Sequence, residues 1–432
     1  MRQAHSSSNR QLSFLKLIKL FDRRARDFAL PLFFGILAGL TFYAVSPELY
    51  ARVVESPCLG LSFGLGFDLP LPIPCPSLVR VVNDGFMTFF FALAMTHIVR
   101  TFQAFESVRD VAWHTFNPFL AMMAGVIVPA ILFLLSVFIW GTPEMTKGFG
   151  IVTATDITVA WLILRLALGK NHPAISFLLL LALGDDIFGM LVIALFYSHA
   201  DAPNMPALLL VVLAILWGAL GKKILPHQPF LVFTSAGVIS WLGLYFAHLH
   251  PALALVPLIP FLSSVSGMRE NALLASETSS ESPSPSVRTS RVKNPKPSPL
   301  VRFEHAVSPW VDYGLFFFGL TNAGVPLGQP GTLTWIILFS LFAGKTLGIY
   351  TTMRLTEKLH FLRAVGFSRQ AQLLTAMSAS VGLTVSLFMA EAAFPPGALQ
   401  NEAKLGALFS LLNGLPVIVL ARLNKRTDEE KR

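Results

Sequence analysis

Residues 174–197 read AISFLLLLALGDDIFGMLVIALFY, with Asp185 and Asp186 at the centre. Eleven uncharged residues lie on each side of the pair, 174–184 and 187–197. At about 1.5 Å rise per residue, the segment is one helix long enough to cross a bilayer, with two acids near its middle. Each charge at such a depth costs about 2.5–3.5 kcal/mol on insertion scales. The chain must therefore fold so that these carboxylates meet other charges, water or an ion.

The rest of the chain agrees with a bilayer as solvent. Of its 432 residues 54% are hydrophobic and only 13% are charged. That balance excludes a soluble enzyme and predicts an all-α polytopic membrane protein. Twelve apolar segments are candidate spans: 28–45, 85–99, 117–140, 149–168, 174–197, 206–221, 230–247, 251–264, 309–326, 333–353, 371–394 and 405–422. Several are short or interrupted by Pro or Gly, which a bilayer tolerates only where protein or water surrounds the break.

Net charge is +9, which topology explains without nucleic acid. If both termini are cytoplasmic, cytoplasmic segments hold 28 of the 33 Lys and Arg residues. The opposite face holds Arg52, Arg80, Lys147 and Lys404, and Lys345 remains inside a span. This asymmetry follows the positive-inside rule and supports an even number of spans. It divides the chain into a basic tail (1–27), a first membrane block (28–264) with a long outer loop (46–81), a cytoplasmic linker (265–305), a second membrane block (306–422) and a short tail (423–432). The linker's Ser- and Pro-rich part, 271–300, reads as disordered. Residues 12–21 resemble an interfacial amphipathic helix or a plain basic anchor. Cys58 and Cys75, the only cysteines, exclude a cysteine-rich metal site. Both fall in the outer loop, where a disulfide is allowed but not required.

Four charges sit deep in spans: Asp156, Asp185, Asp186 and Lys345. Three acids face one base, so pairing alone leaves acids uncompensated. Adjacent helix positions point about 100° apart. One of Asp185 and Asp186 can thus turn to Lys345 while the other lines a cavity. A carboxylate there can hold a proton or a hard cation, and that competition is the chemistry of cation/proton exchange. Asp156 lies among Thr153, Thr155 and Thr158 at mid-span. A similar polar centre (Ser378, Ser380, Gly382, Thr384, Ser386) occurs in 371–394. Two interruptible spans in the two halves of a chain point to broken helices around a midplane site.

The ordered motifs NDGFMTFFFAL (83–93), AGVIVPA (124–130), TATDIT (153–158), LALGDDIFGMLVIALFY (181–197), FEHAVSPWVDY (303–313), NAGV (322–325), AGKTLGI (343–349) and GLTVSLFMAEAAF (382–394) resemble the bacterial NhaA-type sodium/proton antiporters. The resemblance runs from about residue 28 to 420. It implies twelve transmembrane helices in an inverted-repeat antiporter fold, with spans four and eleven discontinuous and crossed. It implies a secondary transporter rather than an enzyme, located in the bacterial inner membrane and forming a homodimer. Cytoplasmic Na+, and Li+, would leave in electrogenic exchange for external H+, with no cofactor, no structural metal and no catalytic residue. Asp186 would be the principal ion ligand and proton carrier, Asp185 the partner of Lys345, and Asp156 with Thr155 the broken-helix site. His250 would serve packing or pH tuning.

The resemblance weakens at the pH-sensing cluster. Arg100, Arg302, Glu304 and His305 match the pattern, but His97 and Thr101 replace two glutamates and Ser308 replaces a histidine. A shifted or flatter pH profile is the expectation. Two rival readings keep the architecture, a sodium-coupled symporter and a degenerate antiporter acting as a sensor. An intramembrane aspartyl protease is disfavoured, because Asp156 follows Thr and the second motif reads Ala182-Leu183-Gly184-Asp185.

Overall fold

A computed structural model describes residues 30–57, 76–103, 108–197, 204–224, 229–262, 299–328, 330–358 and 366–430. There is no strand among the described residues. Helices are the expected solution, because in hydrocarbon each backbone group must be satisfied within its own segment.

Helix α1 spans Leu30–Val45, α2 Leu78–Thr101 and α3 Val108–Trp140. Helix α4 is a 3-10 segment, Pro143–Thr153, followed by an α-helix, Ile157–Leu168. Then come α5 (Pro173–Phe196), α6 (Leu208–Ile224) and α7 (Pro229–Phe246). A short, Pro-interrupted α8 covers Pro251–Leu262, and α9 covers Pro299–Asn322. Helix α10 runs over Thr332–Lys358. Helix α11 has two parts, Arg369–Ser378 and Thr384–Ala393. Helix α12 covers Ala398–Leu423.

Among the described residues, α2, α3, α5, α10 and α12 are each long and apolar enough to cross a bilayer. Helix α4 joins them if its halves, bent by 56°, count as one span. The apolar surface divides accordingly. Phe138 and Trp310 stand 88% and 79% exposed, as lipid-facing residues should. The second half of α11 is buried along almost its whole length. It packs against α12, the 3-10 half of α4, α9 and α5.

Small residues set the closest helix contact. A Cβ on Gly35 of α1 would lie 2.1 Å from the Phe316 carbonyl oxygen of α9, and one on Gly319 would lie 2.7 Å from the Ile36 nitrogen. Backbones approach this closely only where side chains are absent. Gly35→Ala is therefore expected to force α1 from α9 and cost about 1–3 kcal/mol. A lowered thermal midpoint of the detergent-solubilised protein would register it; an unchanged midpoint would deny the contact.

Several boundaries differ from the sequence reading. The linker expected over 265–305 ends earlier, because α9 begins at Pro299. Proline is well suited to a first helical turn. Leu300 and Phe303 are buried with Phe233, Leu255, Leu258 and Ile259, so apolar packing carries the helix into the polar stretch. Helix α2 starts at Leu78 instead of 85, α10 continues to Lys358, and α12 starts at Ala398 instead of 405. In each case charged residues at the helix end masked the continuation. The loop 46–81 carries short helical turns at both ends, Pro47–Tyr50 and Leu78–Arg80. Cys58, Cys75, segment 12–21 and residues 271–298 lie outside the described residues.

Candidate ion-binding site

Both broken helices are interrupted at the level where they meet. Helix α4 leaves its 3-10 segment after Thr153, Ala154 is extended, and Asp156 caps the next helix by accepting the Val159 N–H at 3.0 Å. Aspartate suits this position, because a short carboxylate satisfies an otherwise orphaned N–H and opposes the positive end of the helix dipole. Asp156 also reaches α11. Its other oxygen accepts the Thr384 N–H at 3.2 Å and the Thr384 hydroxyl at 2.9 Å. One carboxylate therefore serves the N-termini of two half-helices. The Asp156 N–H donates to the Val381 carbonyl at 2.7 Å, and Ser386 donates to Ile151 O at 2.7 Å. Gly382 has no room for a Cβ, which would lie 2.9 Å from Ala154 O. The two unwound stretches thus satisfy each other's backbone.

Lys345 enters from α10, directly after a π-helical turn, Ser340–Gly344. Such turns recur at functional sites because they re-aim the following side chains. Lys345 is wholly buried, and its ammonium lies 2.7 Å from Asp185 Oδ2 and 2.6 Å from Thr155 Oγ1. The Thr155 hydroxyl stands 2.6 Å from Asp185 Oδ2 and 2.8 Å from the Ala379 carbonyl. It has one proton, so it accepts from Lys345 and donates to one of these two oxygens at a time. Asp185 Oδ1 is buried and has no hydrogen-bond partner among the described residues.

Asp186 is different. Its side chain makes no hydrogen bond or ion pair among the described residues, and it is more open, at 8% against 1% for Asp185. Asp185, Asp156 and Lys345 lie within its electrostatic reach. It shares a helix face with Gly189, three residues on, which packs against Met389 and Val385 of α11. The face that carries Asp186 therefore looks toward the second half of α11.

The remaining sequence candidates lie apart from this centre. At the Arg100 end of α2, the Arg100 guanidinium and His97, whose Nε2 is 3.6 Å from Glu304 Oε1, face Glu304 on the first turns of α9. Thr101 donates back to the His97 carbonyl at 2.9 Å. Arg302 is exposed with its guanidinium 5.1 Å from the Phe230 ring centre, and His305 is exposed. His250 is buried, its Nδ1 3.8 Å from Asp84 Oδ1 and its ring against Phe388. Asp84 and Arg100 are separated by about 24 Å of helix at 1.5 Å per residue, so these are two distinct clusters.

His97 first, then Arg100, hold the Glu304 carboxyl below the usual carboxylate range against the opposing effect of burial. A depressed folded-state value contributes stability above the ordinary glutamate range, and that stability is lost as pH falls through the lower folded value. Glu304→Gln is expected to flatten the fall of thermal midpoint with acidification below about pH 4.3, the ordinary glutamate value. An equal acid slope in both proteins would contradict this. Glu304 itself stays ionised through neutrality, so a neutral pH step in activity is not its own titration.

Some structural roles escaped the sequence reading. Asn83 and Asn322 exchange amide hydrogen bonds of 3.1 and 3.0 Å, tying the NDGF motif to the NAGV motif. Glu402 of α12 accepts the Leu333 N–H at 3.0 Å, capping α10 where Gly331 has no side chain to do so. Ser410 and Asn413 of α12 bond to the α11 turn. Polar residues inside apolar spans were the available signal; their partners, far away in sequence, were not.

The sequence profile described as Na+/H+ antiporter 1 matches residues 24–419. The chain is 37% identical over 401 residues to Na(+)/H(+) antiporter NhaA 2 of Pelobacter propionicus, covering 92% of this chain and 96% of that protein. It is 40% identical over 394 residues to Na(+)/H(+) antiporter NhaA of Geobacter metallireducens, covering 89% and 93%. Among solved structures, the sodium proton antiporter MjNhaP1 of Methanocaldococcus jannaschii aligns with 95% of each chain at 12% identity and a TM-score of 0.49. With a profile match and such identities over nearly its whole length, the chain belongs to the NhaA-type family of Na+/H+ antiporters.

Proposed function

We propose that this protein exchanges cytoplasmic Na+, and Li+, for external H+ at Asp186. The observation that supports this most is the inequality of the tandem acids. Asp185 Oδ2 is held by Lys345 and Thr155, whereas the neighbouring buried carboxylate of Asp186 has no hydrogen-bond or ion-pair partner among the described residues. A carboxylate in that position is neutralised by a proton or by a small hard cation, and each excludes the other. In one access state Na+ displaces the Asp186 proton to the cytoplasm and takes its place. In the other, Na+ leaves outward and an external proton replaces it. The Asp185–Lys345 pair opens as Asp185 turns to the cation, and closes again when the cation departs.

The wider reading is a twelve-span protein of the inner membrane with both termini cytoplasmic, in which α4 and α11 cross at their breaks. The family resemblance adds a homodimer and electrogenic exchange, which requires a second proton per cycle beyond the one carried by Asp186. Asp156 carries the fixed negative charge where two positive helix ends meet, so the crossing has no net charge of its own to repel a cation. The cytoplasmic cluster of His97, Arg100 and Glu304 bears on pH response, with Thr101 and Ser308 flattening it relative to the family pattern.

Everted membrane vesicles, acidified by respiration and loaded with a pH-gradient dye, test this reading. Na+ and Li+ are expected to dequench the dye far more than K+. No Na+ response would overturn exchange and leave a symporter or a sensor.

A further inference from the structure

The non-helical turn 379–383 of α11 has polar partners on two sides. Helix α4 supplies one side through Thr155 and Asp156, as described above. Helix α12 supplies the other, where it tightens into a 3-10 turn, Ser410–Asn413. There the Ser410 hydroxyl accepts the Gly382 N–H at 3.2 Å and donates its own proton to Ala407 O at 2.6 Å. The Asn413 amide donates to the Ser380 carbonyl at 3.1 Å. Ser410 is wholly buried and Asn413 nearly so, so water does not readily replace either bond.

We propose that Ser410 and Asn413 are positioning residues for the ion site. They press the α11 turn onto the α4 turn and so fix where Asp156, Thr155 and Thr384 stand beside Asp185 and Asp186. Neither hydrogen-bonds Asp185, Asp186 or Lys345 among the described residues, so both act through the α11 backbone. Two consequences follow from the bonding pattern. The Ser380 and Val381 carbonyls are engaged, by Asn413 and by the Asp156 N–H, and the Ala379 carbonyl competes with Asp185 for the Thr155 proton. Unwound carbonyls are ready cation ligands in transporters of broken-helix design; here these spend one of their two lone pairs on hydrogen bonds inside the protein. Second, releasing one side frees the turn to shift, because the Ser380 carbonyl or the Gly382 N–H must then find another partner.

This inference rests on the exchange reading, and the test separates the two. Purified full-length protein in proteoliposomes is assayed for apparent KM for Na+ and for maximal rate per folded molecule. Ser410→Ala and Asn413→Leu are each expected to raise apparent KM about tenfold, the loss of roughly one buried hydrogen bond, with maximal rate largely kept. Ser410→Thr, which keeps the hydroxyl, is expected to retain the wild-type KM. An unchanged KM in the Ala and Leu variants overturns the positioning role, whatever happens to yield or maximal rate. If Asn413→Leu does not fold, Ser410→Ala decides alone, since it removes a single oxygen. A wild-type protein without Na+ response would instead overturn the exchange reading itself.

Discussion

Asp186→Asn is expected to reduce sodium-driven proton movement to the background of vesicles lacking the protein, while leaving the fold intact. The substitution keeps size and shape. It removes a carboxylate that makes no hydrogen bond or ion pair among the described residues, so little packing or bonding energy goes with it. An amide, however, can neither surrender a proton nor neutralise a cation. Every step assigned to Asp186 therefore fails together, and raised Na+ does not restore it. Asp185→Asn differs in kind. It strips Lys345 of its counter-charge, and its first effect is on folding. The dye-quench assay with a thermal-unfolding control separates these cases. Full activity in Asp186→Asn would show that the carboxylate is a bystander.

The second large effect is expected at Lys345. Lys345→Met leaves the Asp185 carboxylate buried with the Thr155 hydroxyl as its remaining hydrogen-bond donor among the described residues. Removing one member of a buried ion pair costs about 3–5 kcal/mol, because the other charge stays desolvated without its partner. The double variant Lys345→Met with Asp185→Asn discards both charges and is expected to recover most of that loss, as apolar replacements of buried pairs commonly do. Thermal unfolding in detergent measures both. Exchange is not expected to return with stability, because the Asp185–Lys345 opening proposed to accompany cation binding is then absent. A double variant no more stable than the single one would mean that the pair is not what makes Lys345 structurally necessary.

Much of this site was visible in the sequence because membranes penalise charge. The uncharged residues around Asp185 and Asp186 placed the acids at depth, and the count against Lys345 showed that pairing could not satisfy them all. Helical spacing then required the two acids to face differently, and in the structure they do. Asp156 among threonines marked a break, and the break lies at residues 154–156. What stayed hidden was partnership. Nothing local to Asp156 says that its second oxygen serves Thr384, more than two hundred residues away. Nothing local to Asn413 says that it holds Ser380. Helix ends were obscured for a different reason. Hydropathy falls at Arg80, Lys404 and Glu304, yet helix continues through them, because Leu78 near the first, Leu405 beside the second, and Leu300 and Phe303 beside the third have apolar surface to bury. The π-helical turn before Lys345, Ser340–Gly344, had no mark beyond Gly344, whose close approach to Pro129 of α3 is not visible in the sequence.

The claim beneath all of this is that Na+ and H+ compete for one carboxylate. Calorimetric titration of the purified protein with Na+, in buffers of different ionisation enthalpy, measures protons released per Na+ bound. The account predicts net proton release on Na+ binding by the wild-type protein, and neither binding heat nor proton release in Asp186→Asn. Sodium binding to Asp186→Asn with undiminished proton release would contradict it.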